Sequence, residues 1–389
     1  MSSKRIRLAN RLLTAAWAGG LARRPSLDPG ELAAIAARRG DGDFGPTDIW
    51  WPNLALLTAS LEDEARLSPL GRVIAHGQIV AALRNRGRAY ALWRRHPEIR
   101  RRALPRPIVI LGQMRSGTTR LQRMLASDRA FAVTRFFEGF TPLPATRSIW
   151  ADDRPARAAI GLAAARLLNP QFSAIHPTSV FSPDEEIGLQ SFSLFGSAFE
   201  AQWRIPRFAR TLENVDTRPF YREFADLVRT LSWLRGDPEH RTVVLKLPQF
   251  GQDGEALLET FPDARIIRLE REPAEIIASS ASLVENQMRL QSDAVDPLWI
   301  GREWTRKYAL RQARMDAALN RPGVQSLAIS YDLMTADWRG AMRRIYDFLG
   351  LALSQHAERD MSATVDRDRQ GHFRNHRYDP RRFGLPVTA

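Results

Sequence analysis

Pro107-Ile-Val-Ile-Leu-Gly112-Gln-Met-Arg115-Ser116-Gly117-Thr118-Thr119-Arg-Leu-Gln-Arg-Met-Leu125 is the stretch that decides the architecture of this chain. Ile108 to Leu111 form an apolar, β-favouring run, Gly112 and Gly117 bracket a polar loop, and Leu121, Met124 and Leu125 recur at helical spacing. The pattern predicts strand, loop and helix in register. Such a junction aims unpaired backbone N–H groups and the positive end of a helix dipole at one point, which favours an anion. The expected ligand carries a phosphate. The spacing Gly112-x4-Gly117-Thr118-Thr119 is that of a nucleotide phosphate loop, except that Thr118 stands where a lysine would follow the second glycine. The loop's cation is Arg115 instead. Loss of that lysine argues against ATP or GTP hydrolysis, because it is the group that holds the β- and γ-phosphates.

Working outward, the alternation of strand and helix continues. Residues 131–136, 242–247, 264–269 and 324–329 read as further strands, with helices over 252–261, 273–290, 297–320 and 335–349. This implies an α/β fold, a P-loop-type parallel sheet with helices on both faces. Residues 1–105 read as a helical N-terminal extension, with a hairpin broken near Ser68-Pro69-Leu70-Gly71, and residues 106–389 as the α/β domain. Within that domain, about 145–240 is a helical, proline-punctuated insertion, a common place for an element that covers substrate.

Composition removes several classes. The chain has 389 residues, 44% of them hydrophobic, enough for a substantial core. It has no cysteine, so disulfides and thiolate metal sites are excluded. No apolar run is long enough to span a bilayer, and the apolar part at 12–21 is too short, and too soon followed by Arg23 and Arg24, for a secretory signal. A cytoplasmic location is expected. The net charge of +14 comes almost wholly from arginine, since Lys4, Lys246 and Lys307 are the only lysines. The arginines are spread along the chain with no helix-turn-helix or aromatic-basic pattern, so no nucleic-acid partner is expected.

A second anion site is read in Arg268-Leu-Glu-Arg271-Glu-Pro273, followed by Ser279 and Ser280. Pro273 favours a first helical turn, so Arg271 projects from a strand's carboxyl end and Ser279 lies two turns into the helix. An arginine with a nearby hydroxyl suits a doubly charged phosphate.

Together the two sites resemble the PAPS-dependent sulfotransferases. Arg115-Ser116-Gly117-Thr118-Thr119 looks like that family's 5′-phosphosulfate loop, and Arg271 with Ser279 looks like its 3′-phosphate motif. The likeness extends over roughly 50–389, is closest to a bacterial branch, and includes Phe137-Glu138, His176-Pro177, Asp184-Glu185-Glu186, Leu245-Lys246-Leu247-Pro248, Phe261-Pro262-Asp263-Ala264-Arg265 and Phe383-Gly384-Leu385. The resemblance implies PAPS as sulfuryl donor and a small-molecule, lipid or glycan acceptor, with no metal. Arg115 and Lys246 are expected to stabilise the leaving oxygen. Glu138, bracketed by aromatics, is the first candidate for the base, and His176 the second. Asp184, Glu185 and Glu186 read instead as an acidic cluster at a helix start. The basic tail at 367–378 could fold over the nucleotide; His372 and His376 in it read as a solvated loop. One departure stands out: Phe250 occupies a position where related sequences usually carry histidine. The alternatives are a nucleotide-dependent kinase or NTPase with an altered loop, and a nucleotide-binding homologue without activity.

Overall fold

The computed structural model describes residues 4–38, 42–145, 152–170, 177–370 and 378–386, the side chains of 368–370 excepted. Five apolar runs form one parallel sheet: β1 (Ile108–Leu111), β2 (Phe131–Val133), β3 (Thr242–Lys246), β4 (Arg265–Glu270) and β5 (Gln325–Ser330), in the order β2-β3-β1-β4-β5. β1 is central, with Val109 opposite Leu245 of β3 and Ile266 of β4. All four of its residues are buried, as expected of a strand covered on both faces. From β1 the chain passes to the edge strand β2, returns inward to β3, then crosses β1 to β4 and β5 on the other side, so the carboxyl ends of β1, β3 and β4 face a topological switch point, where such sheets form their ligand crevice.

Two elements differ from expectation. β2 stops at Val133, and Phe136–Phe140 coil into a short helix because the Glu138 carboxylate accepts the Arg135 N–H at 2.8 Å and caps it. The expected 335–349 helix is two pieces, Tyr331–Ala336 and Trp338–Leu349, with the Asp337 side chain accepting from the Gly340 N–H between them.

Before the sheet lie the helices Lys4–Ala18, Pro29–Ala37, Thr47–Asp63 and Pro69–Arg95. The expected break falls at Ser68, whose hydroxyl accepts from the Gly71 N–H at 3.1 Å while Pro69 opens the next helix. Leu54, Leu57, Leu61, Ile79 and Leu83 share one hydrophobic core with Val109, Leu111, Leu245 and Ile266. Arg86, fully buried, locks this layer to the inserted helix Arg218–Arg235 through a bidentate pair with Glu223 at 2.6 and 2.7 Å.

The insertion is positioned by a return of the chain on itself. Residues 180–184 run antiparallel to 134–137, with the Phe136 N–H donating to the Ser182 carbonyl and the Asp184 N–H to that of Thr134, both at 2.9 Å. This carries Asp184, Glu185 and Glu186 to the carboxyl end of β3. Gly188, in the short helix Ile187–Gln190, lies so close to Gly139 that a Cβ there would sit 1.9 Å from the Gly139 carbonyl oxygen. Only glycine permits that approach.

Candidate active site

β1 runs into the loop 112–117 and the helix Thr118–Ala126. Gly117 adopts φ 94°, a left-handed conformation that turns the loop into the helix; a Cβ here would also strike the Tyr331 ring at 2.7 Å. The Ser116 hydroxyl donates to the Gln113 carbonyl at 2.7 Å and braces the turn. No side chain caps the helix, the first-turn N–H groups of Thr118 and Thr119 have no intrahelical partner, and both residues line the cavity. This is an anion cradle.

The second expected half is joined directly to it. Arg271 leaves the end of β4 just before the helix Pro273–Gln291, and its Nη1 donates to the Arg115 carbonyl at 2.9 Å. Arg115 Nε in turn donates to the Ser279 hydroxyl at 3.0 Å. Arg271 is held over the face of Tyr331, 4.3 Å from the ring centre, and by Glu275 at 2.5 Å. Burial, reinforced by the neighbouring Arg271, lowers the pKa of Arg115, and Tyr378 opposes the shift.

Lys246, at the end of β3, is almost completely buried. Its Nζ donates to Glu185 Oε1 at 2.6 Å and to the Thr119 hydroxyl at 3.1 Å, so one cation bridges the phosphate loop and a carboxylate. Its backbone N–H donates to Glu186 Oε2 at 2.7 Å. Burial pushes the Glu186 carboxyl up to about 8.

Three residues that sequence reasoning singled out are placed away from the roles or surroundings it gave them. Glu138 is fully buried, and its carboxylate is taken up by its own helix cap and by Arg235 at 3.1 Å; it does not line the cavity. Glu185, read from the sequence as part of an acidic helix start, is the carboxylate that does line it, because the return of residues 180–184 against 134–137 sets it opposite Lys246. Phe250 packs against Tyr221 and Phe224 in the core, so its side chain takes nothing from the cavity. His176, like His372 and His376 in the tail, lies outside the described residues.

The cavity has a volume of about 640 Å³. Arg115, Thr118, Thr119, Glu185, Arg271 and Tyr331 line one end. Phe136, Phe140, Leu162, Ala165, Leu283 and Leu290 form apolar walls, and amides from three elements, Gln78, Gln202 and Gln291, are set among them. Trp203 fixes how these amides point. Its indole can only donate, and it donates to Gln291 Oε1 at 2.6 Å. Gln291 Nε2 must then face Gln202 Oε1, at 3.1 Å, and Gln78 Nε2 faces the same oxygen at 2.8 Å. The remaining Gln78 oxygen is left as an acceptor on a cavity-lining side chain.

Sheet order and crevice define the class: a P-loop-type α/β protein whose phosphate loop and arginine-serine pocket form one continuous anion site. The sulfotransferase family model matches residues 107–355, and the chain belongs to that family. Its structure is similar to that of sulfotransferase STF1 from Mycobacterium tuberculosis H37Rv, with 25% identity and a TM-score of 0.81 over 94% of this chain and 97% of that one. The fold is also that of sulfotransferase STF9 from Mycobacterium avium, with 24% identity and a TM-score of 0.80 over 92% of each chain. Coverage this wide includes most of the helices before residue 107. No curated protein sequence matches the chain.

Proposed function

We propose that this protein transfers a sulfuryl group from 3′-phosphoadenosine 5′-phosphosulfate (PAPS) to the hydroxyl of an acceptor by in-line displacement. The observation that carries the reading is the chain of contacts Arg271 to Arg115 to Ser279, which fuses the two anion sites into one bed for a nucleotide with phosphates at both ends. In this reading Arg271 and Ser279 hold the 3′-phosphate. Arg115, Ser116, Gly117, Thr118 and Thr119 hold the 5′ end, the last three through loop and helix N–H groups.

The donor supplies sulfur bonded to an oxygen that can leave as phosphate. The acceptor oxygen forms the new bond to sulfur, the bridging S–O bond breaks, and its electron pair departs on the 5′-phosphate. Negative charge grows on that bridging oxygen. Lys246 is set to meet it, since its ammonium already lies against Thr119 of the phosphate loop. Its other contact is Glu185, the carboxylate we assign as base for the acceptor proton in place of Glu138. One buried cation thereby links the group that takes the proton to the group that receives the leaving charge. The apolar walls and the Gln78 oxygen suit a largely hydrophobic acceptor alcohol carrying a second hydrogen-bond donor.

A kinase would need a carboxylate at a neighbouring strand end to hold Mg²⁺. β3 ends in Lys246, and Glu270 at the end of β4 is paired with Arg268 at 3.1 Å, which favours sulfuryl transfer. Isothermal titration tests the reading: adenosine 3′,5′-bisphosphate should bind well and ATP poorly, and Arg271→Ala should weaken the first by about tenfold to a hundredfold. Equal affinity for both nucleotides, or an unchanged constant in the variant, would overturn it.

A further inference from the structure

The inserted helix Arg154–Leu168 is apolar on two sides. Gly161, Leu162 and Ala165 line the cavity, while Ile160, 72% exposed, and Leu167, 62% exposed, face outward with Ala159 and Ala163. A helix with apolar residues all round is ordinarily covered on both sides. The outer face also reaches the cavity itself. Phe140 is 53% exposed, lines the cavity, and packs against Gly161, the neighbour of Ile160.

A second helix extends this face. Arg5 Nη1 donates to the Leu167 carbonyl at 3.0 Å, bringing the start of Lys4–Ala18 against the end of the inserted helix. Leu8 and Leu12, three and seven residues after Arg5 and 58% and 62% exposed, lie on the same stripe of the helix as Arg5. Lys4–Ala18 contains Lys4, Arg5, Arg7 and Arg11 and no acidic residue. The inserted helix has no acid either and ends near Arg166. The two acids at its start, Asp152 and Asp153, are paired with Arg154 at 2.8 Å and Arg157 at 3.2 Å.

We propose that these two helices form a docking face for the surface of an anionic lipid bilayer, and that the acceptor reaches the cavity past Phe140 from that surface. The second clause rests on the sulfotransfer reading; the docking does not. Basic side chains beside exposed leucine and isoleucine are the composition of a helix lying in the headgroup layer, with the cations on anionic headgroups and the apolar side chains at the acyl boundary. Among the described residues no helix is long and apolar enough to cross a membrane, so the contact is with one surface.

The test is co-sedimentation of the full chain with vesicles of phosphatidylcholine alone or mixed with phosphatidylglycerol. Binding to the anionic vesicles should exceed that to neutral ones by about tenfold or more and weaken as salt is raised. Ile160→Glu with Leu167→Glu, and separately Leu8→Glu with Leu12→Glu, should each lower it by about tenfold. Affinity for adenosine 3′,5′-bisphosphate should stay unchanged in both, which reports that the fold is intact. Absence of vesicle binding, equal binding to both compositions, or binding indifferent to both double variants would overturn the proposal. So would a dimer in sedimentation velocity that these substitutions abolish while vesicles bind nothing, since the face would then belong to a second copy. Vesicle binding without nucleotide affinity would leave the docking face standing and remove the sulfotransfer reading.

Discussion

Glu138 and Glu185 show how much depends on where one carboxylate is sent. Both lie shortly after a phenylalanine, and desolvation by aromatic neighbours makes Glu138 the more attractive base from sequence. Its burial is complete, and Arg235 holds it in a structural ion pair. Glu185 faces the cavity beside Lys246 only because residues forty-odd positions apart pair across 134–137 and 180–184, a contact that no local pattern encodes. The two assignments separate cleanly in experiment. Glu185→Gln should cut turnover by about a hundredfold or more while leaving affinity for adenosine 3′,5′-bisphosphate nearly unchanged. Glu138→Gln should instead cost roughly 2–4 kcal/mol in denaturant unfolding, with turnover of the folded fraction retained. A stable but inactive Glu138 variant would return the base to that residue. Arg115, Gly117, Thr118, Thr119, Arg271 and Ser279 were legible because strand-loop-helix junctions are local and carry their own glycine and proline signals.

At the scale of elements, the strands declared themselves as short apolar runs between turn residues, and the helices by their spacing and caps. The boundaries that moved did so for side-chain reasons: the Glu138 cap ended β2 early, and Asp337 split the late helix. What the sequence could not display was that the helix Pro69–Arg95, outside the matched 107–355 region, lends Gln78 to the cavity. Its packing pattern reads as scaffold, and the orientation of its amide is set by an indole more than a hundred residues away. Gln78→Leu should therefore raise the KM for the acceptor by about tenfold, the worth of one hydrogen bond, with kcat and nucleotide affinity little changed. An equal fall in kcat would mean that Gln78 acts on the reaction itself.

For the molecule as a whole, burying acids without matching cations makes stability depend on pH. Burial pushes Glu186 up to about 8 and Asp253, beside Gln249 and Tyr221, up to about 7. Both pKa values rise on folding, so the stabilisation from their protonated forms is full below the ordinary carboxylate range and is lost as pH climbs through 7 to 8. Chemical denaturation should show stability falling between about pH 5 and 8, and Glu186→Gln should flatten that decline by roughly 1–3 kcal/mol at its upper end. A pH-independent midpoint in the parent protein would contradict it.

The near absence of lysine has a practical corollary. Lys246 and Lys307 are 1% and 2% exposed, whereas Lys4 is open to solvent on the basic amphipathic helix. Among the lysine side chains, an amine-reactive fluorophore applied to the native protein should therefore attach at Lys4. A dye at that position would stand beside the leucine-bearing stripe and report, by its change in emission, what that surface meets.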